Sequence, residues 1–512
     1  MEASYSQVDD MSSENINKPP QELLNQCKNS GKTNPTQEVY VNGGSTSVVS
    51  SLSVQEQCGV NTICIIPEGI TLIMDGNLNV DALIIRGNLE WNDASQSESD
   101  LFLCGGYVVV ENNGSFEMVL SNSGSNKKGW IYIKNNGAVH PELRSRAFGT
   151  FKERYNQDQN PIMLVRGRQD LKRTWSLLSE PLYKDDTQIK LMHSPTEMGW
   201  NVGDRIGISP TDGQAVGWGQ DVYITDISND GEVITINNPI ENDLRADFEI
   251  GNSQYVEGAP PSLISAEVIN LSRNIIITGD DFEEVACDPS LPEAVNGEQT
   301  SVLGCRCAEF RSTCTVGLHT MHKFGGGDDG IIQMENVRVE RCGQRGIEGK
   351  YCMHFHKMDD CPNCIFKGNA IENSQQRGII IHSTHNTLVE DNVLYNVRGA
   401  NIYLEDGNEM WNTLKYNVAI CPFPFRDNTY HGCTIPGTSN RIADTSDNQS
   451  GFFSRAGSNN FIGNRASNHF NGMFLAEGST GRGESYNKVC ESASRLGRMD
   501  GNTWHSNGRF GT

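Results

Sequence analysis

Short apolar runs broken by glycine set the pattern of this chain from about residue 38 onward. Ile63-Cys64-Ile65-Ile66, Ile70-Thr71-Leu72-Ile73, Ala82-Leu83-Ile84-Ile85, Tyr107-Val108-Val109-Val110 and Trp130-Ile131-Tyr132-Ile133 are each of strand length. Pro67-Glu68-Gly69, Asp75-Gly76-Asn77 and Asn112-Asn113-Gly114 separate them as turns. Residues 1–37 are polar, carry Pro19-Pro20 and lack apolar periodicity, so they are predicted to form a disordered arm. Residues 38–165 then read as one β domain and 166–261 as a more polar β-rich connection, strand-like at Trp200-Asn201-Val202-Gly203-Asp204-Arg205-Ile206-Gly207-Ile208 and Val233-Ile234-Thr235-Ile236.

A different regime runs from 262 to 512. Gly368-Asn369, Asp391-Asn392, Tyr416-Asn417 and Gly463-Asn464 recur at spacings of 23, 25 and 47, the last close to two periods. Short strands on such a period predict a solenoid with one rung per repeat. No leucine comb is present, which selects a right-handed parallel β-helix over a leucine-rich repeat. The recurrent asparagine is read as structural, its amides stacking from rung to rung. Gly501-Asn502 opens another rung just before Thr512, so the solenoid is expected to continue beyond this chain.

Charge narrows the function. Forty-one Lys and Arg against 64 Asp and Glu give −23, with a pI near 4.9. That excludes a basic nucleic-acid footprint and disfavours an anionic membrane surface. No run of 18 apolar residues exists, so direct membrane insertion by this chain is not expected. Ten of the fifteen cysteines lie between Cys287 and Cys433, a density that predicts disulfides and an oxidising compartment. Sequons at Asn113, Asn270 and Asn448 permit glycosylation. A zinc site at Cys361-Pro362-Asn363-Cys364 is the weaker alternative for that pair. The N-terminus does not read as a signal peptide, so the chain is taken as a piece of an extracellular or cell-surface protein.

Four of the eleven histidines fall within residues 354–385. Anchoring the rungs on asparagine lays Met353-His354-Phe355-His356 over Ile379-Ile380-Ile381-His382 and Ile402-Tyr403-Leu404-Glu405. Side chains alternate along a strand, so Met353/Ile379/Ile402 and Phe355/Ile381/Leu404 point inward. The columns His354/Ile380/Tyr403 and His356/His382/Glu405 then point outward, with rungs about 4.8 Å apart. Imidazoles and a carboxylate at that spacing can share a proton or a metal ion, or divide acid and base roles. The candidate catalytic residues are therefore His354, His356, His382, His385, Glu405 and Asp406. The alignment requires a loop three residues longer, from Lys357 to Asn363, in the first rung.

Arg345, Arg377 and Arg398 recur just before each rung's strand. They either tie adjacent turns through Glu348, Glu390 or Asp391, or offer forked donors to the carboxylates of an acidic polysaccharide. Tyr403 and Trp411 are candidate sugar-stacking rings. The run Phe324 to Gly330 reads as a plain turn rather than a cation site, and no phosphate loop or serine elbow is present.

At these residues the chain resembles a known family. Ile66-Pro67-Glu68-Gly69-Ile70-Thr71-Leu72 and Leu83-Ile84-Ile85-Arg86-Gly87-Asn88-Leu89 look like the opening of a G8 domain. Val202-Gly203-Asp204, Leu271-Ser272-Arg273-Asn274-Ile275, His354-Phe355-His356, Ile381-His382-Ser383-Thr384-His385, Leu388-Val389-Glu390-Asp391-Asn392 and Leu404-Glu405-Asp406-Gly407 follow in the family's order. The family combines a G8 domain with parallel β-helix repeats and includes fibrocystin-L and cell-surface hyaluronidases. The resemblance implies an all-β chain, a G8-type β domain followed by a right-handed parallel β-helix, exposed outside the cell. It implies calcium or another divalent metal as cofactor, and an acidic polysaccharide or glycoprotein as partner. Two functions remain open. One is an adhesion or receptor-type ectodomain that binds carbohydrate. The other is a hyaluronidase-like enzyme, in which His356 or His382 donates a proton and Glu405 or Asp406 activates water, or a histidine acts as the base of a lyase.

Overall fold

The computed structural model describes residues 21–27, 31–97, 100–121, 127–250, 262–286, 313–327, 329–345, 347–425, 432–435, 450–476, 480–490 and 493–509. Among the described residues, three long sheets, all parallel, have 11, 11 and 10 strands. Each rung contributes one strand to each sheet, as in Ile379–His385, Leu388–Glu390 and Val393–Val397. The fold is an all-β parallel β-helix. Its core is the inward column of each sheet, including Phe116, Phe148, Met353, Phe355, Ile381, Leu404 and Phe452, all fully buried.

The strands expected to form a separate unit over 38–165 are rungs of these same sheets. Thr62–Ile66, Ala82–Ile85, Val108–Glu111 and Ala147–Phe151 continue directly into His319–Lys323 and Met353–Asp360. The apolar run of each early rung is half-buried or better on the same interior axis, so no boundary separates the two halves at 262. The polar stretch between them is an insertion. Its six-stranded antiparallel sheet, in the order Trp175–Leu177, Glu267–Asn270, Arg205–Ile208, Gln220–Ile227, Val233–Ile236 and Gln188–Lys190, lies outside the solenoid. Trp175, Leu177, Ile269 and Leu271 pack against Ala370, Val393, Tyr395, Val418 and Ile420 on the outer face of the third sheet.

The asparagine ladder is continuous. Asn369, Asn392, Asn417 and Asn464 each donate from Nδ2 to Oδ1 of the next member, ending on Asn502, at 2.9–3.0 Å. Asn417 and Asn464 are direct neighbours, so the spacing of 47 is one rung with a long excursion rather than two rungs. The residue before each ladder asparagine is left-handed: Gly368 at φ 65°, Asp391 at 54°, Tyr416 at 57°, Gly463 at 60° and Gly501 at 63°. That conformation is what glycine and aspartate tolerate best, which accounts for the repeated Gly-Asn and Asp-Asn pairs.

Other expectations change on the structure. Within the stretch read as a disordered arm, Gln21–Cys27 is a helix with Leu23 and Cys27 buried and a Cys27–Cys104 disulfide. Residues 1–20 and 28–30 lie outside the described ones. Cys58–Cys64, Cys342–Cys352, Cys361–Cys364 and Cys421–Cys433 are also disulfides, so Cys361 and Cys364 do not hold zinc. Asn270 is buried, and its amide donates to Asp204, which closes that sequon to a glycan. Asn113 is exposed, and Asn448, Cys287, Cys305 and Cys307 lie outside the described residues. Among the described residues, no helix is long and apolar enough to cross a membrane.

Candidate functional site

Parallel pairing places Met353, His354, Phe355 and His356 against Ile379, Ile380, Ile381 and His382, and the first three of these against Ile402, Tyr403 and Leu404. This is the register obtained from the asparagine anchor. The inward residues are buried in the main core, leaving His354, His356 and His382 together on the outer face. One residue of the extra length after His356 is a β-bulge between His356 and Asp359, opposite His382 and Thr384, and the other two lie in the turn between Asp360 and Ile365, opposite His385 and Leu388. Lys357 and Asp359 both take left-handed φ, 55° and 56°. Bulges re-aim side chains beside functional sites, and this one directs Lys357 away from the strand.

The three imidazoles converge. His356 Nδ1 lies 3.4 Å from His354 Nε2 and 3.1 Å from His382 Nδ1. The His354 and His382 rings are parallel at 5.9 Å, and His356 stands perpendicular to both. Each outer ring is fixed from behind. His354 Nδ1 lies 3.1 Å from the Gly349 carbonyl, to which only its N–H can bond, so its Nε2 carries a lone pair. His382 Nε2 lies 3.0 Å from Asp406 Oδ2, and Ser383 Oγ donates to the same oxygen at 3.0 Å. Glu409, absent from the candidates drawn from sequence, accepts the Asp406, Gly407 and Ser383 amides at 2.8–2.9 Å and thereby shapes the turn that carries Asp406. Its only signal in the sequence is the acid run Glu405 to Glu409.

Burial, then the nearby His382 charge, hold His354 and His356 well below the ordinary imidazole range. Burial also opposes charge on His382, but Glu405 and Asp406 overcome it and push that imidazole up to about 9. Without an ion, His382 is therefore the cation of the cluster at neutral pH, and a bound metal ion would take the place of the proton on its Nδ1. Glu405 Oε2 is 3.6 Å from His382 Nδ1, buried, and has no hydrogen-bond partner. Three nitrogens within 4.8 Å of one another and an orphaned carboxylate oxygen make a nitrogen-rich donor set. Such a set fits a nitrogen-preferring divalent ion of the zinc type, whereas calcium takes six to eight oxygens and does not fit it.

The remaining candidates lie elsewhere. His385 pairs in register with Asp360 and accepts the Met410 amide on Nδ1 at 3.3 Å, apart from the three converging imidazoles. Tyr403 is fully buried rather than outward for a sugar: it stacks on Phe453 at 4.6 Å, which in turn stacks on Phe474, continuing the His354 column as an aromatic ladder. Arg345 and Arg398 are also buried. Arg345 pairs with Glu284 at 3.5 Å, and Arg398 donates to the Gly432 carbonyl at 2.6 Å. Arg377 is half-buried, donates to Tyr351 Oη at 3.0 Å and covers the Tyr403 ring at 3.9 Å. These arginines tie turns together, with carboxylate, hydroxyl, carbonyl and ring partners, while Glu390 pairs with Lys367 and Lys415. Trp411 is exposed.

Beside the histidines lies an open cleft of about 240 Å³, lined by Arg154, Lys357, Asp359, Ser383, Asn408 and Glu484 among others. Its floor is continuous with the cluster, because Ser383 bonds Asp406 and Lys357 follows His356. Arg154 and Glu484 come from distant parts of the chain, and nothing in the local sequence marks either one.

Residues 315–512 match the family described as CEMIP beta-helix. Human fibrocystin-L is 26% identical over 463 residues, covering 88% of this chain and 10% of fibrocystin-L. A G8 domain-containing protein of Dictyostelium discoideum is 25% identical over 351 residues, 68% of this chain and 27% of that protein. The chain thus spans a tenth to a quarter of the length of these curated relatives. Among solved structures, the Gp54 tailspike of Acinetobacter baumannii bacteriophage AP22, in complex with capsular saccharide, aligns over 77% of this chain and 48% of its own, at 8% identity and a TM-score of 0.17.

Proposed function

Because this chain is a member of the G8 and parallel β-helix family, we propose that it works outside the cell, or at its surface, on an acidic polysaccharide, and that the histidine rung is a hydrolytic or lyase centre of hyaluronidase-like type. The convergence of His354 Nε2, His356 Nδ1 and His382 Nδ1 carries this reading over that of a passive adhesion ectodomain. Adhesion needs an exposed surface. It has no use for three half-buried or buried imidazoles whose outer members are oriented from behind by a carbonyl and a carboxylate. The disulfides support the extracellular setting.

His354, His356 and His382 would hold a divalent ion, leaving a fourth position for water or a sugar oxygen. When bound, that ion would supply Lewis-acid polarisation of a water or of a sugar oxygen. The protein's own groups do the rest. Asp406, positioned by Glu409, keeps the His382 proton on Nε2 and its Nδ1 aimed into the cluster. Glu405, with an unpartnered buried oxygen, is the group placed to accept a proton from water or from a sugar carbon.

The test is to incubate the purified chain with hyaluronan and other acidic polysaccharides, with and without chelator, while measuring bound metal and polymer size. One equivalent of bound zinc-like metal, chelator-sensitive shortening of one polymer, and loss of both in a folded His356→Ala variant are expected. Polymer that is bound but never shortened by the metal-loaded chain would return the assignment to adhesion.

A further inference from the structure

The cleft beside the histidines already contains a carboxylate, and it belongs to the chain itself. Arg154 donates from Nη1 and Nη2 to both oxygens of Glu484 at 2.8 and 2.5 Å, and Lys357 Nζ donates to the same carboxylate at 2.8 Å. A forked guanidinium plus an ammonium is the recognition chemistry of a carboxylate ligand. The two cations come from separate rungs, Arg154 from the loop after Ala147–Phe151 and Lys357 from the bulge after His356, while the carboxylate arrives from a loop more than 120 residues further on. Lys357 reaches it through a left-handed backbone that a lysine rarely adopts.

The loop around residues 481–489 is seated on the candidate site. Arg482 donates its amide to the Asp406 carbonyl at 2.9 Å, and Gly481 donates to Val489 at 3.0 Å. Gly483, at φ 52°, sits so close to the Asp406 carboxylate that a Cβ there would lie 2.8 Å from Oδ1. The loop therefore rests on the carboxylate that orients His382. Arg154 and Glu484 are both more than a third exposed, so the pair holding the loop down is weak and salt-screened. Arg154 first, then Lys357, hold the Glu484 carboxyl at about 2, so it is ionised throughout the physiological range.

We propose that Arg154 and Lys357 form a subsite for the carboxylate of a uronate-bearing saccharide, and that Glu484 is a built-in stand-in which that carboxylate displaces. This rests on the polysaccharide reading above and deepens it, by placing the acidic sugar within reach of the histidine rung. A polyanion gains the site by exchanging one carboxylate for another. The loop at 481–489 then lifts from Asp406, and the cleft opens toward His382. A single carboxylate competes poorly with a tethered one, whereas a polymer anchored elsewhere along the solenoid competes at high effective concentration.

The test is direct binding, measured by calorimetry on the full chain. The probes are a hyaluronan hexasaccharide and its carboxyl-reduced counterpart, each at low and physiological salt. Glu484→Gln and Glu484→Ala should bind the uronate hexasaccharide five- to twenty-fold more tightly than the unmodified chain, with unchanged melting temperature and unchanged affinity for the reduced probe. Arg154→Ala/Lys357→Ala, built on Glu484→Gln, should lose that gain. Equal affinity in all variants, or an equal gain for the reduced probe, overturns the proposal. Bound zinc is measured on the same samples, which separates the two readings. Metal binding without any Glu484 effect refutes the subsite alone, and a Glu484 effect without metal binding refutes the metal centre alone.

Discussion

Asn417 uses every hydrogen-bonding position of its amide in the interior of the solenoid. Its Oδ1 accepts from the Asn392 amide and Nδ2 at 3.0 and 2.9 Å, and its Nδ2 donates to the Val389 carbonyl and Asn464 Oδ1 at 2.9 and 3.0 Å. Asn417→Ala strips four bonds and leaves a buried amide and carbonyl without partners, which should cost about 3 kcal/mol. Chemical denaturation reads that loss, and a cost under about 1 kcal/mol would mean that water replaces the amide. A second residue sets an acid limit. His469 is buried, and burial pushes its imidazole down to about 4. The unfolded chain titrates near 6.5 and so binds the proton more tightly than the folded one, which makes stability fall as pH drops from about 6.5 to about 4, by about 3 kcal/mol. His469→Gln should remove about that much of the slope in urea titrations run across the range, leaving the share that comes from the buried His354 and His356. The histidine columns and the ladder were legible because both follow from side-chain alternation and a fixed period. The burial of Tyr403 was not, because what covers it is Phe453 and Phe474, two later rungs whose register follows the excursion that broke the period.

At the scale of elements, the insertion is held to the solenoid by charges as well as by apolar packing. Glu267, on an insertion strand and fully buried, meets Arg465 and His505 on the third sheet, the latter at 2.9 Å, and accepts from Ser209 Oγ at 2.6 Å. Arg205 reaches Glu372 at 2.7 Å, and Trp175 Nε1 donates to the Tyr416 carbonyl at 2.7 Å. Removing one partner of such a buried pair leaves the other uncompensated, so Glu267→Gln should destabilise by about 3–5 kcal/mol. Limited proteolysis should then cut first within the insertion. Cleavage that begins instead among the early rungs would mean that docking is set by Trp175 and Ile269 alone. Two strands of the insertion could be read, within Trp200 to Ile208 and at Val233 to Ile236, since each carries a short apolar alternation, although the first begins only at Arg205. Their antiparallel order and their seat on the third sheet could not, because these depend on single long-range contacts that leave no period in the sequence.

Across the whole molecule, a solenoid ordinarily unfolds by rungs, each stabilised only by its neighbours. This one carries a clamp. The insertion touches the third sheet from Arg273 on the Gly368 carbonyl, through Thr174 on Asp391, to Ala215 on Ser506 and His505 on Glu267. Those contacts span successive rungs, from the one carrying Ala370–Ser374 to the one carrying Thr503–His505, and the same rungs carry the histidine cluster on another face. The clamped rungs should therefore open together, with a single exchange free energy for amides in Ala370–Ser374, Val393–Val397, Val418–Ile420 and Arg465–Ser467. The early rungs at Thr62–Ile66 and Ala82–Ile85 should exchange independently. Hydrogen exchange resolved by segment measures this directly. Acid provides a control within the same experiment, because His505 and Arg465 draw the Glu267 carboxyl well below its ordinary range against the opposing effect of burial. A carboxylate depressed in this way contributes its full stability above about pH 4.5 and loses it as the pH falls below that value. The shared opening should split into rung-by-rung openings as the pH falls below 4.5, and in Glu267→Gln at neutral pH. Independent exchange of the four segments in the unmodified chain at neutral pH would show that the clamp holds the insertion without coupling the rungs, and that the rigidity of the histidine site comes from its own ladder and turn bonds.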